Sequence, residues 1–176
     1  YGHKEFESNN ILGVALNKRT NNIKIELHSS NTIIGSELDI KQFSSGAYYL
    51  TPNTNELDIS LYGFNETKFS RINLLSSFRF GHLSIKPDDY NYTNINGQQV
   101  KNRNFDYFSS SIGLKKIINK IEINSWIMNT MRAPRVEELY SDGPHLGTYS
   151  YEIGQPKLEL EKIYGIESSI SYNTNP

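Results

Sequence analysis

The feature that most constrains this chain is a period of two that returns run after run along its 176 residues. Ile23, Ile25 and Leu27 alternate with Lys24, Glu26 and His28, so an extended segment there carries one apolar and one charged face. Ile34, Leu38 and Ile40 lie opposite Glu37, Asp39 and Lys41 in the same way, and Leu57, Ile59 and Leu61 repeat the rhythm. Ile72, Leu74, Phe78 and Phe80 then oppose Asn73, Ser77 and Arg79. Phe108, Ile112 and Leu114 form a further face, and Ile121, Ile123 and Ile127 begin the next. The last run is read as the longest regular one, with Leu158, Leu160, Tyr164, Ile166, Ile170 and Tyr172 against Glu159, Glu161, Gly165, Glu167 and Ser171.

The connections carry a second regularity. Short breaks at Ser29–Asn31, Thr67–Ser70 and Asn119–Lys120 alternate with long polar stretches at Ser44–Asn55, at Lys86–Asn104 and after Ile127. Tight turns on one rim and long loops on the other are the pattern of an outer-membrane barrel. Strands in soluble sheets peak at about 5 to 6 residues, whereas about 9 to 11 are needed to cross a bilayer at a tilt. The runs here fit the second class, and a long meander in a soluble protein is the alternative. The expected fold is all-β, an antiparallel transmembrane β-barrel, as an incomplete fragment of about eight meander strands. The charged face would line the lumen, and aromatic residues near strand ends, such as Tyr62, Tyr107, Phe108 and Tyr172, would suit an aromatic girdle.

Composition removes several function classes. Eighteen basic and nineteen acidic residues leave a formal charge of -1 and no field to draw in nucleic acid. With no cysteine, disulfides, thiolate metal sites and cysteine nucleophiles are excluded. A mean hydropathy of -0.56 and no long apolar run exclude a spanning helix, but a barrel strand shows only alternate residues to lipid. No nucleophile-elbow or metal-hydrolase spacing is present, so no catalytic residue and no cofactor is expected. Tyr1 is not an initiator, and Asn173-Thr174-Asn175-Pro176 reads as a turn, so both ends are expected to be cut.

Within the last long connection the sequence reads Arg132-Ala133-Pro134, then Glu138-Leu139-Tyr140, then Gly143-Pro144-His145, then Glu152-Ile153-Gly154-Gln155-Pro156-x-Leu158-x-x-Glu161. These tokens, in this order over about 30 residues, resemble the barrel signature of TonB-dependent outer-membrane receptors. Gln155 stands where that family usually has Asn, and Leu160 where Pro is common. Pro134, Gly143-Pro144 and Gly154 with Pro156 fix three turns, so the loop is expected to be folded. Arg132, Glu138, His145 and Glu152 are read first as holding loop to barrel wall, with direct ligand contact as the alternative. Glu159 and Glu161 are expected to face the lumen.

A second similarity lies at the start, where Tyr1-Gly2-His3-Lys4-Glu5 is similar to a Tyr-x-His-x-Glu element in the zinc- or haem-uptake branch of these receptors. Gly13, the strand ending at His28, and the spacing to Tyr48, Leu50 and Pro52 are similar as well. His3 and Glu5 would share one strand face, where an imidazole and a carboxylate could hold a divalent ion if a third ligand arrived; both as solvated lumen residues is the alternative.

The resemblance implies a TonB-energised transport receptor for a scarce nutrient (metal, siderophore or haem-like ligand) in the bacterial outer membrane. Residues 1–176 would be part of its barrel domain, with the plug, the TonB contact and the closing strands outside. Plugged outer-membrane transporters have about 22 strands, so about eight are a portion. A passive porin-like barrel and a surface β-protein that binds carbohydrate are the alternatives.

Overall fold

The structure, a computed structural model, describes residues 2–6, 12–47, 50–70, 72–88, 92–145, 149–172 and 174. Tyr1, Tyr48, the 146–148 part of the signature, and Asn173, Asn175 and Pro176 lie outside the described residues.

Among the described residues eight strands form one antiparallel sheet in the order β1 (Gly2–Phe6), β2 (Leu12–His28), β3 (Thr32–Ala47), β4 (Thr54–Phe69), β5 (Ile72–Pro87), β6 (Arg103–Ile118), β7 (Ile121–Arg132) and β10 (Glu161–Tyr172). Between β7 and β10 the chain makes a short helix, α1 (Val136–Tyr140), and a hairpin of β8 (Asp142–His145) and β9 (Ser150–Ile153). Sequential strands pair as neighbours throughout, an up-and-down meander with tight turns on one rim and long connections on the other.

Pairing register assigns the two faces, since residues directly opposite each other point the same way. Ile25, Ser36, Leu61, Phe80 and Phe108 lie in one row on the convex face. Leu27, Ile34, Gly63, Phe78 and Ser110 form the next. These convex side chains stay exposed in the isolated sheet, Ile25 at 67 % and Leu61 at 49 %. An apolar band exposed across seven long strands has water as its costliest neighbour and lipid as its cheapest.

The concave face is charged and bonded. Glu37 accepts from Arg79 at 2.6 Å and from the Asn22 amide at 2.8 Å, and Glu26 accepts from Lys24 at 2.8 Å and from the Tyr62 hydroxyl at 2.7 Å. The Tyr107 hydroxyl donates to Asp58 at 2.8 Å. Tyr62 and Tyr107 therefore face the lumen and do not belong to a girdle, whereas Phe108 and Tyr172 are on the convex face. The reason lies in their register partners: Tyr62 stands opposite Gly35, Tyr107 opposite Gly81 and Trp126 opposite Gly113. Each ring lies over bare backbone, and a Cβ added to Gly113 would come within 2.5 Å of the Trp126 ring.

Strands differ from expectation in extent. β2 has 17 residues, and its middle passes through Lys18, Arg19, Thr20, Asn21 and Asn22, where both faces are polar and no alternation can appear. β3 to β6 have 16 residues each, longer than a bilayer requires, so they project beyond the apolar band on the long-connection side. The expected longest run is instead one of the shorter long strands: β10 begins at Glu161, and Leu158 and Leu160 precede it. β9 has ended by then, and the chain at 154–160 is turning back to the wall.

Candidate functional site

The connection from β7 to β10 folds back onto the concave face, and its sequence explains how. Pro134 fixes the backbone just ahead of α1. The Arg135 N–H at the helix entrance donates to the Glu138 carboxylate at 2.8 Å, the backward-reaching half of a capping box. Val136, Leu139 and Tyr140, at positions i, i+3 and i+4, share one side of the single turn. All three are buried, in a cluster with Phe43, Leu83, Ile85, Val100, Phe105 and Tyr107. Tyr140 donates its hydroxyl to the Lys101 carbonyl at 2.7 Å, and burial pushes its phenol up to about 12. Pro134 and Gly154 thus flank a helix and a hairpin that the turn signals alone do not specify, and Gly143-Pro144, expected as a turn, lies instead within β8, paired with Glu152 and Tyr151.

Arg132 at the end of β7 joins this segment to the wall. Its guanidinium donates to both Glu138 oxygens, at 2.9 and 3.2 Å, and to Glu161 at the start of β10 at 2.7 Å. The Arg132 guanidinium, aided by the Arg135 N–H, holds the Glu138 carboxyl below the usual carboxylate range. His145 and Glu152 meet across the hairpin at 2.6 Å. Gly154 is buried where an added Cβ would lie 2.6 Å from the backbone of Leu139 and Tyr140, and its N–H donates to the Ser141 carbonyl at 2.6 Å.

Two residues not singled out beforehand do much of the positioning. Asp142 is 6 % exposed and accepts from the Tyr92 hydroxyl, from the Ile95 N–H at 3.0 Å and from the Tyr151 hydroxyl at 3.2 Å. Its own N–H donates to the Leu50 carbonyl at 2.7 Å, so one residue ties together three long connections. Arg103 donates to the carbonyls of Pro156 and of Leu158, the latter at 2.6 Å, and carries Phe105 beneath it. Glu159 lies beside Arg103 at 3.4 Å with its side chain 85 % exposed, ahead of the β10 ladder. An aspartate or arginine at the start of a strand gives no sequence signal of such a role, because the groups it satisfies come from other connections. The helix had a signal in the spacing of Val136, Leu139 and Tyr140.

Between α1 and the concave face lies a cleft of about 550 Å³. Phe43, Leu83, Tyr107 and Val136 supply apolar walls, and Lys18, Lys41, Arg79, Arg132 and Arg135 face Glu56, Asp58 and Glu137 around them. Its size falls in the range of small-molecule sites, roughly 300 to 1,000 Å³. It adjoins a recess of about 300 Å³ lined by His3, Leu16, Asn17, Lys18, Phe43 and Glu137. The register puts His3 opposite Leu16, on the concave face, and Glu5 opposite Val14; the side chains of Glu5 and Val14 lie outside the described residues. Among the described residues no group of three or more histidines and carboxylates is arranged to hold a metal ion.

The model of one protein family, described as TonB dependent receptor-like, beta-barrel, matches residues 6–175. A solved structure, the copper transporter OprC, superposes with a TM-score of 0.63 over 92% of this chain at 12% sequence identity, a likeness that concerns the fold. The chain spans 29% of the length of that transporter. A comparison with curated proteins gives no match. The match along almost the entire chain, on a two-faced meander of membrane-length strands, makes the chain a member of the TonB dependent receptor-like β-barrel family.

Proposed function

We propose that these residues form part of the wall and the long-connection rim of an outer-membrane receptor that takes up a scarce nutrient, a metal, siderophore or haem-like compound. Energy would come from the TonB complex through a plug domain lying elsewhere in the receptor, and the location would be the outer membrane of a Gram-negative cell. The family is one of transport proteins and not of enzymes, which agrees with a concave face built of ion pairs and stacked rings.

The observation that carries the reading is the β7–β10 connection. It folds inward, anchors three buried side chains against the wall and closes one side of a cleft holding both signs of charge. A cleft of that kind suits a polar ligand handed along by charged and hydrogen-bonding groups. In the same reading His3 and Glu5 lie on the ligand's path as contacts for a metal-bearing cargo.

The test is uptake by cells that carry the complete receptor, with and without collapse of the proton-motive force. Accumulation of the nutrient against its gradient should stop on collapse. Entry that continues unchanged to equilibrium would mean a passive, porin-like barrel. For His3 and Glu5, zinc affinity of the complete receptor should fall in His3→Ala and Glu5→Ala, and equal affinity removes them from the path.

A further inference from the structure

Most carboxylates near the centre of the concave face have a cation beside them. Glu26 lies with Lys24 at 2.8 Å, Glu37 with Arg79 at 2.6 Å, and Glu122 with Lys115 at 3.0 Å. Glu56 on β4 and Glu137 on α1 differ. Both are half-buried, and neither makes a side-chain hydrogen bond or an ion pair among the described residues. Both line the cleft of about 550 Å³ between α1 and the wall.

The cations of that cleft do not fill the gap. Arg79 is turned to Glu37 at 2.6 Å, and Arg132 to Glu138 and Glu161 at 2.9 and 2.7 Å, carboxylates that lie outside the lining. Lys41 stands directly opposite Glu56 in register yet leans to Asp39 at 3.9 Å. Lys18 is shared with the neighbouring recess, and Arg135 is exposed to solvent. The charges of Glu137 and Asp58 act on Glu56, so carboxylates from α1 and from the wall are held against one another. Half-buried like charges are costly unless a cation comes between them.

We propose that the ligand of this cleft carries a protonated amine, which sits between Glu56 and Glu137, joined to an apolar or aromatic body. An ammonium donates three hydrogen bonds, enough to reach carboxylates on both sides of the cleft. Phe43, Leu83, Tyr107 and Val136 supply the surface for the body. These apolar walls favour an organic cation over a bare metal ion, which would leave them unused.

The inference rests on the proposal that this cleft receives the transported ligand. Its test uses the complete receptor in phosphatidylcholine nanodiscs and three probes on one phenol ring: tyramine with an ammonium, tyrosol with a hydroxyl, and hydroxyphenylacetate with a carboxylate. Ligand-observed magnetic resonance, with empty nanodiscs subtracted, gives the affinities. Tyramine should bind tightest and hydroxyphenylacetate weakest. Glu56→Gln and Glu137→Gln should each weaken tyramine about fivefold, the weight of one partly screened ion pair, and leave tyrosol unchanged. Asp106→Asn, on the convex face, should alter neither. Heat-modifiable migration on gels reports that each variant is folded. Equal affinity for tyramine and tyrosol, or tyramine binding unchanged in the folded double variant, overturns the proposal. Energy-dependent uptake is measured separately on the unaltered receptor: a failed amine site leaves that uptake in place, whereas a passive barrel loses it whatever the probes show.

Discussion

Leu61 in the sheet wall is 49 % exposed and Leu139 in the β7–β10 connection is fully buried, yet both are leucines in one chain. The wall spreads its stability along the ladders of β2 to β7 and β10, strands of 12 to 17 residues, with convex side chains that need only an apolar solvent. The connection has a five-residue helix and two four-residue strands, too short to persist by themselves, so it depends on a few side chains buried against the wall. One region is defined by what surrounds it, the other by what it packs upon. A substitution in the wall should be judged by the face it occupies, and one in the connection by the contacts it removes.

The strongest way to break this contrast is at the helix. Leu139→Ala should cost the docking of α1 about 2 to 5 kcal/mol by leaving a cavity in the cluster with Ile85 and Phe105. Hydrogen exchange should then rise across 133–160 while the β2–β7 ladder stays protected. Exchange rising equally in both regions would show that they unfold as one. In the wall the corresponding change is Leu61→Lys on the convex face, with an expected cost of about 2 to 4 kcal/mol near mid-bilayer. It should reduce the heat-modifiable, membrane-inserted fraction; the same change would be tolerated if the convex face met water.

Gly154→Ala should come next, at about 1 to 3 kcal/mol, because its Cβ would meet the Leu139–Tyr140 backbone and not a movable side-chain end. Protease cutting between 140 and 160 measures it, and unchanged resistance would mean that the hairpin shifts freely against α1. The smallest effect should be the pH response of the Arg132–Glu138 bond. Because the folded-state value of Glu138 is lowered from 4.5, its contribution is complete above the ordinary value and is lost as pH falls through the depressed one. Its side chain is 40% exposed, so the change should be slight. Exchange protection of α1, followed from pH 6 down toward about pH 3, should fall in the native receptor and be flat in Arg132→Gln.

The sheet was legible wherever one face met a non-polar surrounding. Ile23 to Leu27, Leu57 to Leu61 and Ile121 to Ile127 announce strands because alternate residues meet different solvents. The pattern stops at Asn21 and Asn17, where the convex face leaves the apolar band and the requirement for alternation ends. Tyr62 and Tyr107 misled for a related reason. An aromatic near a strand end suits either an interface or a bare glycine across the ladder, and the register that pairs Tyr62 with Gly35 is not written locally.

The connection shows the same division more sharply. Pro134 and Gly154 with Pro156 marked breaks in it, since their backbone limits act within one or two residues, whereas Gly143-Pro144 went into β8. Arg132, Glu138 and Glu161 were visible as charged residues of the signature, but not that one guanidinium would hold both carboxylates, because Glu161 reaches it only through the β7–β10 pairing. Asp142 was not visible at all, since Tyr92, Ile95 and Leu50 arrive from two other connections. By itself the sequence determined strand periodicity, the two faces, the alternation of short and long connections, and the family token from Arg132 to Glu161. Tertiary structure alone decided that the last connection turns inward, which aromatics stack on which glycines, and which charges meet. Period and turn chemistry are properties of neighbours in the chain, whereas burial and pairing are properties of neighbours in space.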